Sequence, residues 1–278
     1  MYLNYPLSTI NYQLNSLGGF VLYDSLTLIY FVLYAFVFIF GCMIGSFLNV
    51  VVYRVPIGIS IARGRSFCPN CGKPIAFYDN IPLLSYLWLR GKCRKCGAKI
   101  APRYFFTELC GGLLALLMAW HYDFGLQAVV GFAVAAILLA VTLIDFDTMT
   151  IPNGLVIALI IPVAASYFVF LEPSLISRVI GVFVISVPML VLSLVIPGGF
   201  GGGDVKLMAV AGFLLGWPCT LLATFIGLVL GGIVGVIKLI RKSGEKHMAF
   251  GPYLSVGILV SMLWGMQIIF WYLDFFGL

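Results

Sequence analysis

The sequence predicts an all-α, polytopic membrane protein with about eight transmembrane helices and a small cysteine-bearing cytoplasmic domain inserted after the first. Three observations carry this. Of the 278 residues, 62% are apolar and 9% charged, against roughly 25% charged in a soluble domain. The apolar residues fall into runs near the ~20 residues a helix needs to cross a hydrocarbon core, without the short alternating strands of a barrel. Four of the seven cysteines lie in one basic loop between the first and second runs.

Taken in order, residues 1–24 hold no Lys or Arg. They lack the basic start of a secretory signal and read as a short non-cytoplasmic tail. The first span is expected at 25–50, followed by the cysteine domain at 51–103 and a membrane domain at 104–278. Within the latter, spans are expected near 104–121, 126–144, 153–171, 176–196, 205–216, 219–238 and 253–275. The span at 205–216 is short for a crossing, which is tolerated inside a bundle. Residues 196–203 read Ile-Pro-Gly-Gly-Phe-Gly-Gly-Gly, a composition that breaks a helix. This stretch lacks the Gly-Lys-Ser/Thr ending of a phosphate-binding loop.

Ten of the sixteen basic residues lie in 51–103, and Lys206, Lys238, Arg241, Lys242 and Lys246 add to the same side, leaving Arg178 opposite. By the positive-inside rule that side is the cytoplasm, and both termini point outward. The net charge of +6 is then a topology signal, with no nucleic-acid partner implied.

Cys68-Pro-Asn-Cys71-Gly and Cys93-Arg-Lys-Cys96-Gly stand twenty-one residues apart. Two residues between thiolates allow one turn to place both sulfurs on a tetrahedral ion, and a second pair closes the shell. The following glycines can take positive φ. In a reducing compartment disulfides rarely persist, so a structural Zn²⁺ on Cys68, Cys71, Cys93 and Cys96 is expected over two disulfides. A closed four-thiolate shell has no open position for catalysis. Cys42, Cys110 and Cys219 lie alone in apolar runs and read as core residues.

Of the ten acidic residues, Asp145, Asp147, Asp204 and Glu108 sit at the cytoplasmic ends of expected spans. An ionisable group at membrane depth is costly and by default functional. Glu108 has a structural alternative, pairing with Arg103. Asp145 closes one span and Asp204 opens another, each beside irregular backbone, so the two can meet around one water. Such a pair shares a proton: one carboxylate takes a proton from water while the other donates to the scissile carbonyl. An anion is favoured at a helix start and disfavoured at a helix end, which predicts Asp204 as base and Asp145 as acid. His121 and His247 show no sign of a triad. Lys206, two residues beyond Asp204, is expected to point away from it toward substrate or lipid phosphate.

Gly201-Gly-Gly203-Asp204-Val-Lys206-Leu, Ile144-Asp145-Phe-Asp147 with Ile151-Pro-Asn153, Gly45-Ser-Phe-Leu-Asn49 through Val55-Pro56, Asn80-Ile-Pro-Leu-Leu-Ser-Tyr86, Arg103-Tyr104 and the two cysteine pairs together resemble the prepilin peptidases, or type IV leader peptidases, a family of Gly-x-Gly-Asp intramembrane aspartic proteases. The resemblance runs from about residue 41 to the end. It implies catalytic roles for Asp145 and Asp204, supporting roles for Asp147, Gly201, Gly203 and Lys206, and residence in the bacterial inner membrane with the site facing the cytoplasm. It also implies cleavage of basic leaders from type IV prepilins and type II secretion pseudopilins, after a Gly. Members with the cysteine domain also methylate the new amino terminus with S-adenosylmethionine, for which the sequence identifies no binding residues. The rival readings are a proton-coupled transporter using the intramembrane carboxylates, for which no repeated halves are visible, and a zinc-dependent assembly factor.

Overall fold

The computed structural model describes residues 19–62, 64, 66–196, 200–241 and 248–277, with only the backbone described for 19–26. Most of the expected amino-terminal tail, the basic residues Arg63, Arg65, Lys242 and Lys246, Glu245, His247, and Pro197 to Gly199 of the Gly-rich linker lie outside these residues.

The described chain is helical: α1 (Gly19–Arg54), α2 (Leu84–Trp88), α3 (Pro102–His121), α4 (Leu126–Thr148), α5 (Asn153–Val169), α6 (Leu175–Val184), α7 (Ser186–Val195), α8 (Gly202–Ile240) and α9 (Gly251–Phe276). Among the described residues, six stretches are long and apolar enough to cross a membrane: α1 from Thr27, α3, α4, α6 with α7, α8 and α9. The apolar α5 is shorter, at 17 residues.

The structure modifies several expected boundaries. Helix α1 begins at Gly19 and ends at Arg54, outside the expected 25–50 at both ends. The expected spans at 205–216 and 219–238 are two arms of one element, α8, broken at Gly216 (φ 71°, ψ 166°) two residues before Pro218. Only glycine takes such a backbone readily, and proline lacks the N–H to continue the ladder. The expected span at 176–196 is likewise interrupted, at Ile185 between α6 and α7.

Helix α4 is the centre of the bundle, contacting α1, α3, α5 and α9. Its Val134, Val141 and Ile144 pack in one apolar core with Leu207 and Met208 of α8 and Leu254 and Ile258 of α9. Helices α1 and α3 meet through small residues. A methyl group on Gly41 would lie 2.5 Å from the Gly111 carbonyl oxygen, and one on Gly111 would lie 2.5 Å from that of Gly41. Close backbone approach of this kind is how helices associate where lipid leaves no hydrophobic drive.

At the end of the bundle remote from the cysteine domain, Arg178 is 1% exposed. Its guanidinium donates to the carbonyls of Pro173 (2.9 Å), Phe170 (3.3 Å), Glu172 (3.4 Å) and Phe213 (3.2 Å) and to Ser166 Oγ (3.1 Å). These are oxygens left without helical donors at the end of α5 and before the break in α8.

The inserted domain, between α1 and α3, holds a 3-10 turn (Phe77–Asn80), α2 and two isolated antiparallel bridges, Phe67 with Pro74 and Lys92 with Lys99. It is tied to the bundle at its base. Arg103 forms an ion pair with Asp147 at 2.6 Å and donates to the Leu143 carbonyl at 3.0 Å. The expected pairing of Arg103 with Glu108 therefore does not occur. Glu108 instead accepts the Leu83 N–H at 2.8 Å, because Arg103, five residues earlier on α3, faces α4 across the helix gap.

Candidate active site

Asp145 lies in the last turn of α4, which closes on Met149 in the left-handed region (φ 53°), where a residue can reverse the chain toward α5. Asp145 is 4% exposed. Its Oδ2 accepts the backbone N–H of Gly251, the first residue of α9, at 2.8 Å. Asp204 is 8% exposed and occupies the third position of α8, after the N-cap Gly201. Its Oδ2 reaches back to the Gly201 N–H at 3.3 Å, the carboxylate half of a capping box. Its Oδ1 is buried and has no hydrogen-bond partner among the described residues.

The amino ends of α8 and α9 both reach Ile151, in the turn between α4 and α5. A methyl group on Gly203 would lie 2.8 Å from Ile151 Cβ, and one on Gly251 would lie 3.3 Å from Ile151 Cδ1 and 2.8 Å from Asp145 Oδ2. Phe200 and Phe250, just before α8 and α9, close the same side with ring centroids 5.6 Å apart. Asp145 is the charged group that acts on Asp204. Three chain ends thus meet here: the carboxyl end of α4 and the amino ends of α8 and α9, whose free N–H groups favour negative charge.

The other expected residues are arranged differently. Gly201 donates to Asp204, and Gly203 packs on Ile151, too closely for a side chain. Asp147 is not drawn into the pair; it is exposed and bonded to Arg103. Lys206 points away from Asp204, and its Nζ donates to Asn153 Oδ1 at 2.9 Å, tying α8 to the start of α5. Asp204, expected to open its span, sits at the third helical position behind the N-cap Gly201. Sequence reasoning missed Gly251. The available signal was Gly251-Pro252 after Phe250, a glycine and a proline opening a helix, but nothing local says that its N–H faces Asp145.

The inserted domain holds the second site. The Sγ atoms of Cys68, Cys71, Cys93 and Cys96 lie within 4.8 Å of one another, with Cys68 and Cys96 3.9 Å apart. A tetrahedron with metal–sulfur bonds of ~2.3 Å has edges of about 3.8 Å. All seven cysteines are free thiols. Each pair forms the same turn. Gly72 (φ 65°) and Gly97 (φ 69°) follow the second cysteine and donate to the carbonyls of Cys68 and Cys93, at 2.8 and 2.9 Å. The Ala98 N–H and then the Asn70 amide hold the Cys96 thiol down at about 6, well below an ordinary thiol, so it is available as thiolate, the form that binds metal. Donor set, spacing and protonation fit a four-coordinate ion.

Two family profiles match the chain. The Bacterial Peptidase A24 N-terminal domain covers residues 39–122, including all four clustered cysteines, and the Type IV leader peptidase family covers 132–236, including both aspartates. Curated relatives named prepilin leader peptidase/N-methyltransferase are similar over most of their length. The protein from Aeromonas hydrophila is 35% identical over 87% of this chain and 94% of its own. Those from Stutzerimonas stutzeri and Pseudomonas aeruginosa are 37% and 36% identical, each over 85% of this chain and 92% of their own. No solved structure matches. The chain belongs to the type IV leader peptidase family.

Proposed function

We propose that this protein cleaves the leaders of type IV prepilins, with Asp145 and Asp204 as an aspartic dyad, and methylates the amino terminus that cleavage exposes. The observation that supports the cleavage reading is two buried carboxylates, each held by a backbone N–H at a helix start and near enough for their charges to interact. Like-charged carboxylates at one site do not both ionise readily and share a proton. Asp145 accepts the shorter bond, 2.8 Å, from the amino end of α9, which suits the ionised base that activates water. Asp204 accepts at 3.3 Å, and its Oδ1 has no partner, which suits a protonated acid donating to the scissile carbonyl. This reverses the assignment drawn from the sequence. Each aspartate's own helix favours the opposite order, but the amino end of α9 offsets the unfavourable end of α4.

The dyad lies at the face of the bundle that carries the cysteine domain, to which Arg103–Asp147 ties it. The basic loop between α1 and α3 assigns this face to the cytoplasm, where a prepilin would present a basic leader ahead of an apolar helix. Residence in the bacterial inner membrane and pseudopilins of type II secretion as further substrates belong to the same reading. Zn²⁺ on the four cysteines holds the inserted domain, and S-adenosylmethionine is the methyl donor. The transporter reading finds no support in the relatives, which are named as peptidases.

The test is cleavage of a purified prepilin by the purified protein. The wild type is expected to release the leader, and Asp204→Asn, still inserted and folded, to release none. Cleavage by that variant at the wild-type rate ends the dyad reading.

A further inference from the structure

A cavity of about 420 Å³ lies between the inserted domain and the ends of α1 and α3 that face it. Neither Asp145 nor Asp204 lines it, and the cleavage chemistry makes no use of it. Its size falls in the range of small-molecule sites, ~300–1,000 Å³. Its wall includes an aromatic pair, two carboxylates (Glu108 and the Arg94-paired Asp79) and cationic side chains. Tyr86 of α2 and Phe105 of α3 stand with ring centroids 5.4 Å apart. Glu108 of α3 is fixed at the wall by the Leu83 N–H and by Ser46 of α1. Lys73 and Lys99 come from the two cysteine turns.

The backbone that holds Glu108 is strained at Leu83, beside the cavity and outside its wall. Leu83 has φ 60°, outside the regions a Leu normally occupies. In that conformation its N–H is directed at Glu108. Strain of this kind persists where the surroundings over-determine it, commonly at binding sites. The cavity wall also includes Cys68 and Cys93. A metal on the cysteines, remote from the protease dyad, would therefore shape this cavity.

We infer that the cavity is the binding site for the methyl donor S-adenosylmethionine, an inference that rests on the methyl-transfer half of the proposed function. When bound, the donor supplies a methyl group carried on a sulfonium cation. The wall matches its three parts. The Tyr86 and Phe105 rings offer a flat apolar face for adenine, Glu108 and the ring faces attract the sulfonium, and Lys73 and Lys99 complement the donor's carboxylate.

The test uses the full-length protein in nanodiscs. Saturable binding of radiolabelled S-adenosylmethionine is measured by equilibrium dialysis, and the label is then fixed by ultraviolet crosslinking and mapped to peptides. Competition by S-adenosylhomocysteine and crosslinks within 46–108 are expected. Glu108→Gln should weaken binding on the order of 10-fold or more, and Tyr86→Leu by about 3- to 30-fold, with bound zinc and prepilin cleavage retained in both. Methyl transfer to cleaved pilin is followed on the same preparation. Transfer accompanied by crosslinks within 126–277 overturns this site and leaves the methyltransferase reading standing. Absence of both transfer and saturable binding overturns the two together. Because mapping is done on the wild type, a variant that fails to fold does not shield the inference.

Discussion

Replacing Gly251 by Ala tests whether the amino end of α9 positions the dyad. The added methyl would lie 2.8 Å from Asp145 Oδ2, where ordinary contact begins at 3.4 Å, so about 0.6 Å (3.4 − 2.8) must be absorbed. Both ways out are costly to function. Either the carboxylate swings away from the Gly251 N–H, or α9 retreats from α4 and carries the N–H with it. The 2.8 Å hydrogen bond lengthens in each case, and a bond to a charged acceptor contributes about 1.5–3 kcal/mol. At 1.36 kcal/mol per decade of rate, that corresponds to a fall in kcat/KM of roughly 10- to 150-fold. Misplacement of a reacting group by ~1 Å alone costs about 100-fold. The assay is prepilin cleavage at sub-saturating substrate, with Gly232→Ala in α8, a position with nothing within 4 Å, as the folded control at wild-type rate. A folded Gly251→Ala protein within twofold of wild type would show that α9 does not hold the base, and the argument for Asp145 as the anion would fall with it.

Other consequences follow from the same geometry. Asp145→Asn and Asp204→Asn should each remove cleavage, and the double variant should be no slower than either, because the pair acts as a unit; rates that multiply would refute a shared role. Asp147→Asn should leave cleavage within about threefold and shift stability by under ~1 kcal/mol, since its partner Arg103 lies in an exposed ion pair; abolished cleavage would place Asp147 in the chemistry. In metal-free protein, alkylation of Cys96 should show a midpoint near pH 6. The depressed thiol favours the folded domain fully above an ordinary thiol's range near 9 and loses that contribution as pH falls through about 6. Peptide mapping that returns a midpoint near 9 contradicts this. Arg178→Leu should destabilise the bundle by about 3 kcal/mol or more, read as a lower unfolding midpoint in detergent, and Arg178→Lys should restore little of it, because a point charge lacks the planar fork.

Much of this was legible in the sequence because it is local. Cysteine spacing and the glycine after each pair specify the thiolate turns without reference to the rest of the chain. Gly216-Trp-Pro218 marks a break in an otherwise continuous apolar run, where the sequence predicts two separate spans and the structure has two arms of one element. That Asp145 and Asp204 lie at one face of the bundle follows from topology, since one closes a span there and the other opens one. What failed was tertiary. Glu108 was read against its neighbour on α3, whereas Arg103 faces α4 and Glu108 faces the inserted domain. The proposed acid–base order differs from the sequence expectation because a third helix, α9, contributes an N–H to Asp145. The interruption at Ile185 has a sequence marker that the expected 176–196 span passes over: Pro188 has no N–H for the Val184 carbonyl and crowds it.

The arginine enclosed at the far end of the bundle bears on how the chain is assembled. Four of its five acceptors belong to residues 166–173, but the fifth, the Phe213 carbonyl, arrives only with α8. In the proposed topology this charge crosses the bilayer beside a receptor shell that is still incomplete, and protein solvates it fully only once the 35 residues from Arg178 to Phe213 (213 − 178) are in place. The two halves of the membrane domain are latched to each other at that step, on the side of the membrane opposite the proposed catalytic face.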